Sequence, residues 1–243
     1  MEVLGVIPAR GGSKSIPRKN LAVSAGRPLL EWTAEAVNCC AALTRTVLST
    51  EDAEIAEIGR RLGLEVPFMR PPELAMDDSP IVPVLKHLLT NLKSNGDYHP
   101  DIVVLLQPTS PLRTSGHIDK AVKLLVDTGA DTVVSVVQVP HQFNPVSVMR
   151  EIEGRLEPLT DGPTVYRRQD KETLYARNGP AIVAVRTRII TNHESLYGPD
   201  TRPMVMAPKD SIDVDGPWEL ELVSWLLSQR EQGTTANKPL DNQ

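Results

Sequence analysis

Apolar residues along this chain fall into short unbroken runs, separated by stretches of helical spacing. Val3–Ile7, closed by Pro8, predicts a buried strand. Leu29, Leu30, Thr33, Ala36 and Val37 place a helix over Pro28–Ala42. Thr46–Ser49 predicts a second strand, with Ser49 or Thr50 capping a helix over Asp52–Leu62. Val66–Met69 reads as a short strand. Val82, Leu85, Leu88, Leu89 and Leu92 place a helix over Ser79–Lys93. Asp101–Leu106 (DIVVLL) is a fully apolar run between Pro100 and Pro108, suited to a central parallel strand covered on both faces. A helix over Gly116–Thr128 and a buried strand over Thr132–Val139 follow.

The pattern changes at Pro140. Pro140–Leu174 is polar and turn-rich, with short strand candidates at Val146–Arg150 and Leu156–Pro158, and reads as an inserted arm. Ala181–Val185 returns to the buried-strand pattern, Met204–Ala207 is a candidate edge strand, and Pro217–Gln229 is an amphipathic helix. Strands alternating with helices imply βαβ units. The expected fold is α/β: a Rossmann-like three-layer sandwich with a mostly parallel sheet. One domain spans 1–230, with the arm at about 140–175 and a disordered tail over 231–243.

Composition narrows the function. The formal net charge is −5 and aromatics make up only 4%, which argues against nucleic acid as a partner. The N-terminus MEVLGVIPAR lacks the basic and apolar regions of a signal peptide, and no apolar run is long enough to span a membrane. Cys39 and Cys40 are neighbours with no zinc spacing, so the expected setting is reducing and cytoplasmic. His87 and His117 read as solvated helix residues.

Against this acidic background the loop after the first strand is basic. Arg10, Lys14, Arg18 and Lys19 surround Gly11, Gly12 and Ser13. Glycine lets backbone N–H groups approach phosphate, and the cations neutralise it. The loop is neither GxxxxGK[ST] nor GxGxxG, so a Walker or dinucleotide-binding loop is disfavoured. Near the other end, Asp213 and Asp215 flank Val214; in an extended segment both carboxylates can face one magnesium ion, although a lone DxD is often only a polar turn.

IPARGGSKSIPRKN resembles the signature of the CMP-sugar-acid synthetases, the cytidylyltransferases that activate sialic acids and related sugar acids. The resemblance continues in order through STEDAEIAEIGRRLG, RPPELAMDDSP, LLQPTSPLRTSGHI, RRQD, the Asn178–Gly179 pair and DSIDVD, covering roughly residues 3–228. It implies a nucleotide-diphospho-sugar transferase type of fold whose arm serves dimerisation. The implied reaction takes CTP and a 2-keto sugar acid to a CMP-sugar and pyrophosphate.

The resemblance also implies roles. Arg10, Lys14, Lys19 and Asp215 would be catalytic. Ala9, Arg10, Gly11, Gly12, Ser13 and Lys19 would grip the nucleotide's phosphates, with Asn20, Arg70 and Ser79 on its base and ribose. Gln107, Arg168, Asn178 and Asp213 would bind the sugar, Arg168 through its carboxylate. Asp213 and Asp215 would hold Mg2+, and either could also assist deprotonation of the attacking hydroxyl. Arg113 would hold the following helix or an interface. A homodimer is implied.

The sugar side departs from the sialate pattern. Ile182 stands at a tyrosine position, Ser147 at a lysine position and Ser15 at a common glycine, which leaves neuraminate, legionaminate, pseudaminate and other 3-deoxy acids open. Two other readings compete: a nucleotidyltransferase for a sugar 1-phosphate, and a non-catalytic nucleotide-binding protein.

Overall fold

The structure is a computed structural model, and it describes residues 1–161, 165 and 167–236. The chain begins with β1 (Val3–Pro8), the small hairpin β2 (Val23–Ser24) and β3 (Arg27–Pro28), then α1 (Leu29–Asn38), β4 (Arg45–Ser49), α2 (Ala53–Arg61) and α3 (Ile81–Gly96). Next come β5 (Ile102–Leu105), α4 (Ser115–Thr128), β6 (Thr132–Gln138), the hairpin β7 (Met149–Ile152) and β8 (Arg155–Pro158), and β9 (Tyr175–Arg177). β10 (Val183–Arg186), α5 (Thr187–His193), β11 (Thr201–Val205) and α6 (Pro217–Ala236) complete it.

The main sheet runs β11-β6-β10-β5-β1-β4, with β9 also on β6. β4, β1 and β5 are parallel neighbours, as are β6 and β11. Side chains alternate across it, as a strand's period of two requires. Val3, Ile7, Leu48, Ile102, Val104 and Leu106 pack on one face with Leu30, Val37, Ile55, Ile118 and Leu125 from α1, α2 and α4. Leu4, Val6, Val47, Val103 and Leu105 pack on the other with Leu85, Leu88 and Leu92 of α3 and Ile189 and Ile190 of α5. Both faces are covered, which makes the three-layer α/β fold.

The mostly parallel sheet includes antiparallel members, and several local expectations are corrected. β10 runs antiparallel to both β5 and β6. Among the described residues no α-helix lies between β6 and β10, so there is no crossover helix of the kind that sets neighbouring strands parallel, and β10 pairs antiparallel. Val66–Met69 is not a strand; the contact there is a single bridge between Val47 and Glu65. Asp52, not Ser49 or Thr50, caps α2, its carboxylate accepting from the Glu54 and Ile55 N–H groups. The β11 pairing lies at Thr201–Val205, earlier than Met204–Ala207.

His87 and His117 are not freely solvated. His87 packs edge-on against Phe68 with its Nδ1 sealed from solvent, and His117 is part of the α4 capping box. α6 continues to Ala236, into the stretch expected to be a disordered tail; residues 237–243 of that expectation lie outside the described residues. No helix among the described residues is long and apolar enough to cross a membrane.

Candidate active site

The carboxyl ends of β1, β4, β5 and β6 open on one edge of the sheet, where an open α/β sheet presents its ligand crevice. The segment before β10 and the segment after β11 reach the same edge. Between them lies a cleft of about 330 Å³, lined by Arg10, Gly12, Ser13, Lys19, Asn20, Arg70, Asp77, Ser79, Gln107, Asp213 and Asp215 among others. The structure thus gathers, from positions 10 to 215, most of the residues singled out in the sequence.

The loop after β1 forms one wall. Ala9 turns inward; it is fully buried and its N–H is bonded to the Ser49 carbonyl at 3.0 Å. The Gly11 N–H donates to Glu51 Oε1 at 2.7 Å. Gly11 has a steric reason to be glycine, since a Cβ there would lie 2.4 Å from Asp52 Oδ2. Asn20 Nδ2 donates to the Arg10 carbonyl at 2.8 Å and closes the loop on itself.

The four cations divide. Arg18, in a left-handed conformation, turns away to Asp52 at 2.9 Å and Glu54 at 3.0 Å. Arg10 and Lys14 both meet Asp77, at 2.9 and 2.7 Å. Lys19 is mostly buried and donates to the Val214 and Asp215 carbonyls at 2.9 and 3.1 Å.

The opposite wall carries Arg70, buried against the end of β4. Its Nε donates to Ser49 Oγ at 3.1 Å and its Nη2 to the Ser49 carbonyl. Burial pulls this guanidinium below its ordinary range. Ser79 Oγ donates to the Glu73 carbonyl at 3.1 Å.

The floor is built by Thr109, Ser110 and Asp213. Ser110 Oγ donates to Asp213 Oδ1 at 3.0 Å, and the Val214 N–H to the Thr109 carbonyl at 2.7 Å. Burial raises the Asp213 carboxyl above its usual range; the Thr109 and Ser110 hydroxyls oppose this and the Asp215 charge adds to it. Asp215 is exposed, 3.7 Å from the Lys19 ammonium. Among the described residues no group of three or more His, Cys, Asp or Glu side chains is arranged to hold a metal ion.

Gln107, Asp213 and Asp215 also line a second compartment with Arg177, Asn178, Gly179 and Ser211. Asn178 is buried, and its amide is engaged within the protein: Oδ1 accepts from Ser135 Oγ at 2.7 Å and Nδ2 faces Met206 Sδ at 3.5 Å. Arg168 is not brought to this cleft. It lines a separate cavity of about 730 Å³ against the arm, with His141, Asn144, Lys171 and Met206. Ile182 is fully buried in the core, so its side chain does not face either compartment. Ser147 accepts from Lys171 Nζ at 2.5 Å, which places an ammonium group at the position where the sequence lacks a lysine.

Arg113 anchors the frame beneath. It is buried, donates to the Gln107 and Ala181 carbonyls at 3.1 and 2.8 Å and to Thr33 Oγ1 at 3.0 Å, and burial lowers it to about 10. It joins the end of β5, the entry to β10 and α1; none of these bonds goes to α4, the following helix it was expected to hold. Asp77, Glu51 and Ser110 were also missed as site residues. Each sits inside a quoted motif, but its partner is distant in sequence.

A family model described as Cytidylyltransferase matches residues 4–213. The chain belongs to this family. Among curated relatives, the cytidylyltransferase is 34% identical over 238 residues to CMP-N,N'-diacetyllegionaminic acid synthase of Legionella pneumophila, covering 95% of this chain and 96% of that protein. It is 31% identical to an N-acylneuraminate cytidylyltransferase of Streptococcus agalactiae over 88% of this chain, but spans only 51% of that protein's length. A solved structure of CMP:2-keto-3-deoxy-manno-octonic acid synthetase complexed with CTP superposes on this cytidylyltransferase with a TM-score of 0.69. It is 18% identical and covers 95% of this chain and 100% of that one, a likeness of fold.

Proposed function

We propose that this cytidylyltransferase moves CMP from CTP to the C2 hydroxyl of a 2-keto-3-deoxy sugar acid. The hydroxyl oxygen attacks the α-phosphorus, the bond from that phosphorus to the bridging oxygen breaks, and pyrophosphate leaves. The observation that carries the reading is the gathering of opposite charges in one cleft: Arg10 and Lys19 from the loop after β1, with Lys14 beside them on Asp77, and Asp213 and Asp215 next to Lys19, while Gln107 is shared with a second compartment.

Such a reaction needs positioning and charge neutralisation more than covalent help. Arg10 and Lys14 neutralise the departing phosphates and Lys19 the transferring one. Gly12 and Ser13, both on the cleft lining, add polar contacts. Arg70, Asn20 and Ser79 frame the base and ribose. Gln107 orients the sugar acid in the second compartment. Burial makes Asp213 a better proton acceptor than an exposed aspartate, suited to take the hydroxyl proton.

Asp213 and Asp215 offer hard carboxylate oxygens; burial is the main cause of the raised Asp213 carboxyl and the Asp215 charge adds to it, and a cation would offset both, so the pair fits magnesium. When bound there, the ion supplies charge neutralisation and orientation of the phosphates.

The acceptor is a nonulosonic or related acid, and N,N'-diacetyllegionaminate is the first to test, given the similarity over nearly the whole chain to a synthase of its CMP derivative. The arm supports a homodimer: Met149, Ile152, Leu156 and Leu159 expose apolar surface on or beside its hairpin. Arg168 and Lys171 line the arm cavity and would reach a sugar carboxylate only in such an assembly. The test is mass spectrometry of the product formed from CTP with each acid, alongside light scattering of the protein. A CMP adduct of a sugar acid supports the reading; an adduct formed only with a sugar 1-phosphate overturns it.

A further inference from the structure

We propose that Asp77 is an internal stand-in for the nucleotide's phosphates, a positioning residue that holds Arg10 and Lys14 before CTP arrives and competes with pyrophosphate afterwards. This rests on the reading of the cleft as a CTP site.

Asp77 lines the cleft, on the loop that leads to α3. One carboxylate oxygen meets Arg10 Nη1 at 2.9 Å and the other meets Lys14 Nζ at 2.7 Å. The same Arg10 nitrogen donates to the neighbouring Met76 carbonyl at 2.8 Å, so the two cations of the loop are tied to one turn across the cleft. Lys14 first, then Arg10, hold the Asp77 carboxyl below its ordinary range, so it is ionised at neutral pH.

These are the cations assigned to the departing phosphates. A bridging carboxylate, like a phosphate, accepts from both cations, so while Asp77 holds them they are not free to receive the β- and γ-phosphates. The contacts are solvent-accessible, with Lys14 85% and Asp77 42% exposed. Exposed ion pairs of this kind contribute little to stability and break readily. Asp77 is therefore poorly suited as a structural strut and well suited as an exchangeable anion. A phosphate chain displaces it on binding, and its return to the cations helps to expel pyrophosphate.

The experiment is calorimetric titration of CTP, cytidine and pyrophosphate into wild type, Asp77→Asn and Asp78→Asn, with magnesium present. Asp78 is the adjacent carboxylate and makes no ion pair among the described residues. For Asp77→Asn, CTP and pyrophosphate are expected to bind about three- to tenfold more tightly, the scale of the exposed pairs no longer broken. Cytidine, which has no phosphate, is expected to bind unchanged, and Asp78→Asn to match wild type. A merely structural Asp77 would alter cytidine binding as well. Equal or weaker CTP binding by Asp77→Asn, with wild type binding CTP, overturns the proposal. Failure of wild type to bind CTP at all overturns the CTP reading instead. If Asp77→Asn loses its fold, Asp77→Ser is titrated in its place against the same expectations.

Discussion

The Lys19 ammonium donates to the Val214 carbonyl at 2.9 Å, across 195 residues of sequence. With its bond to the Asp215 carbonyl at 3.1 Å, it ties the first loop of the chain to the segment that carries both candidate metal-binding aspartates. Lys19→Ala removes this tie and one of the cations lining the cleft. It is expected to lower kcat/KM for CTP by about 100-fold or more, on the scale of losing one transition-state charge contact. Steady-state pyrophosphate release checks this. A variant within twofold of wild type would contradict the assignment.

Gly179 and Asp213 are a second long-range pair. Gly179 has φ +107, and a Cβ on it would lie 2.9 Å from Asp213 Cγ. Neither fact suits an L side chain. Gly179→Ala is expected to displace the Asp213 carboxylate and reduce kcat by at least about tenfold, because small displacements of positioned groups cost catalysis steeply. Circular dichroism alongside kinetics separates this from unfolding; wild-type kcat in the variant would overturn it.

Arg113 predicts stability rather than chemistry. Arg113→Met leaves the Gln107 and Ala181 carbonyls and the Thr33 hydroxyl without their buried donor. The expected loss is about 3 kcal/mol, in the range for breaking a buried charged network. Urea denaturation measures it, and a change under about 1 kcal/mol would contradict the anchoring role.

His117 predicts a pH dependence. Its Nδ1 accepts from the Thr114 N–H at 3.2 Å, closing the capping box of α4, and protonation there abolishes the acceptor. Burial lowers its pKa below 6.5, opposed by Asp210 and reinforced by Arg230, Lys120 and Arg113. A depressed folded pKa means that the stability is fully present above 6.5 and is lost as pH falls through the lower folded value. Glutamine at this position keeps a capping partner without titrating. Wild type is therefore expected to lose thermal stability relative to His117→Gln as pH drops below 6.5. Parallel Tm curves for the two proteins would contradict this.

The fold was legible where burial writes directly into sequence. VLGVI, DIVVLL and TVVSVV are apolar because both faces of β1, β5 and β6 are covered, and all three are strands. Strand direction was not legible at Ala181–Val185, because an apolar run reads the same either way; only its pairing with β5 and β6 shows it antiparallel. The site was legible as motifs but not as contacts. GGSK marks a phosphate-type loop, yet nothing local says that Lys14 pairs with Asp77 or that Arg18 turns away to Asp52. Arg168 shows the limit: its motif suggests the sugar, and the sequence does not show that its side chain lines a cavity against the arm rather than the cleft.

The most direct test is pyrophosphate release from CTP with magnesium across eight- and nine-carbon 2-keto sugar acids and a set of sugar 1-phosphates, with Lys14→Ala and Asp215→Ala run in parallel. Release is expected with at least one acid, none with the sugar 1-phosphates, and near-complete loss in both variants. Release with a sugar 1-phosphate, or undiminished release in either variant, would contradict the proposed reaction.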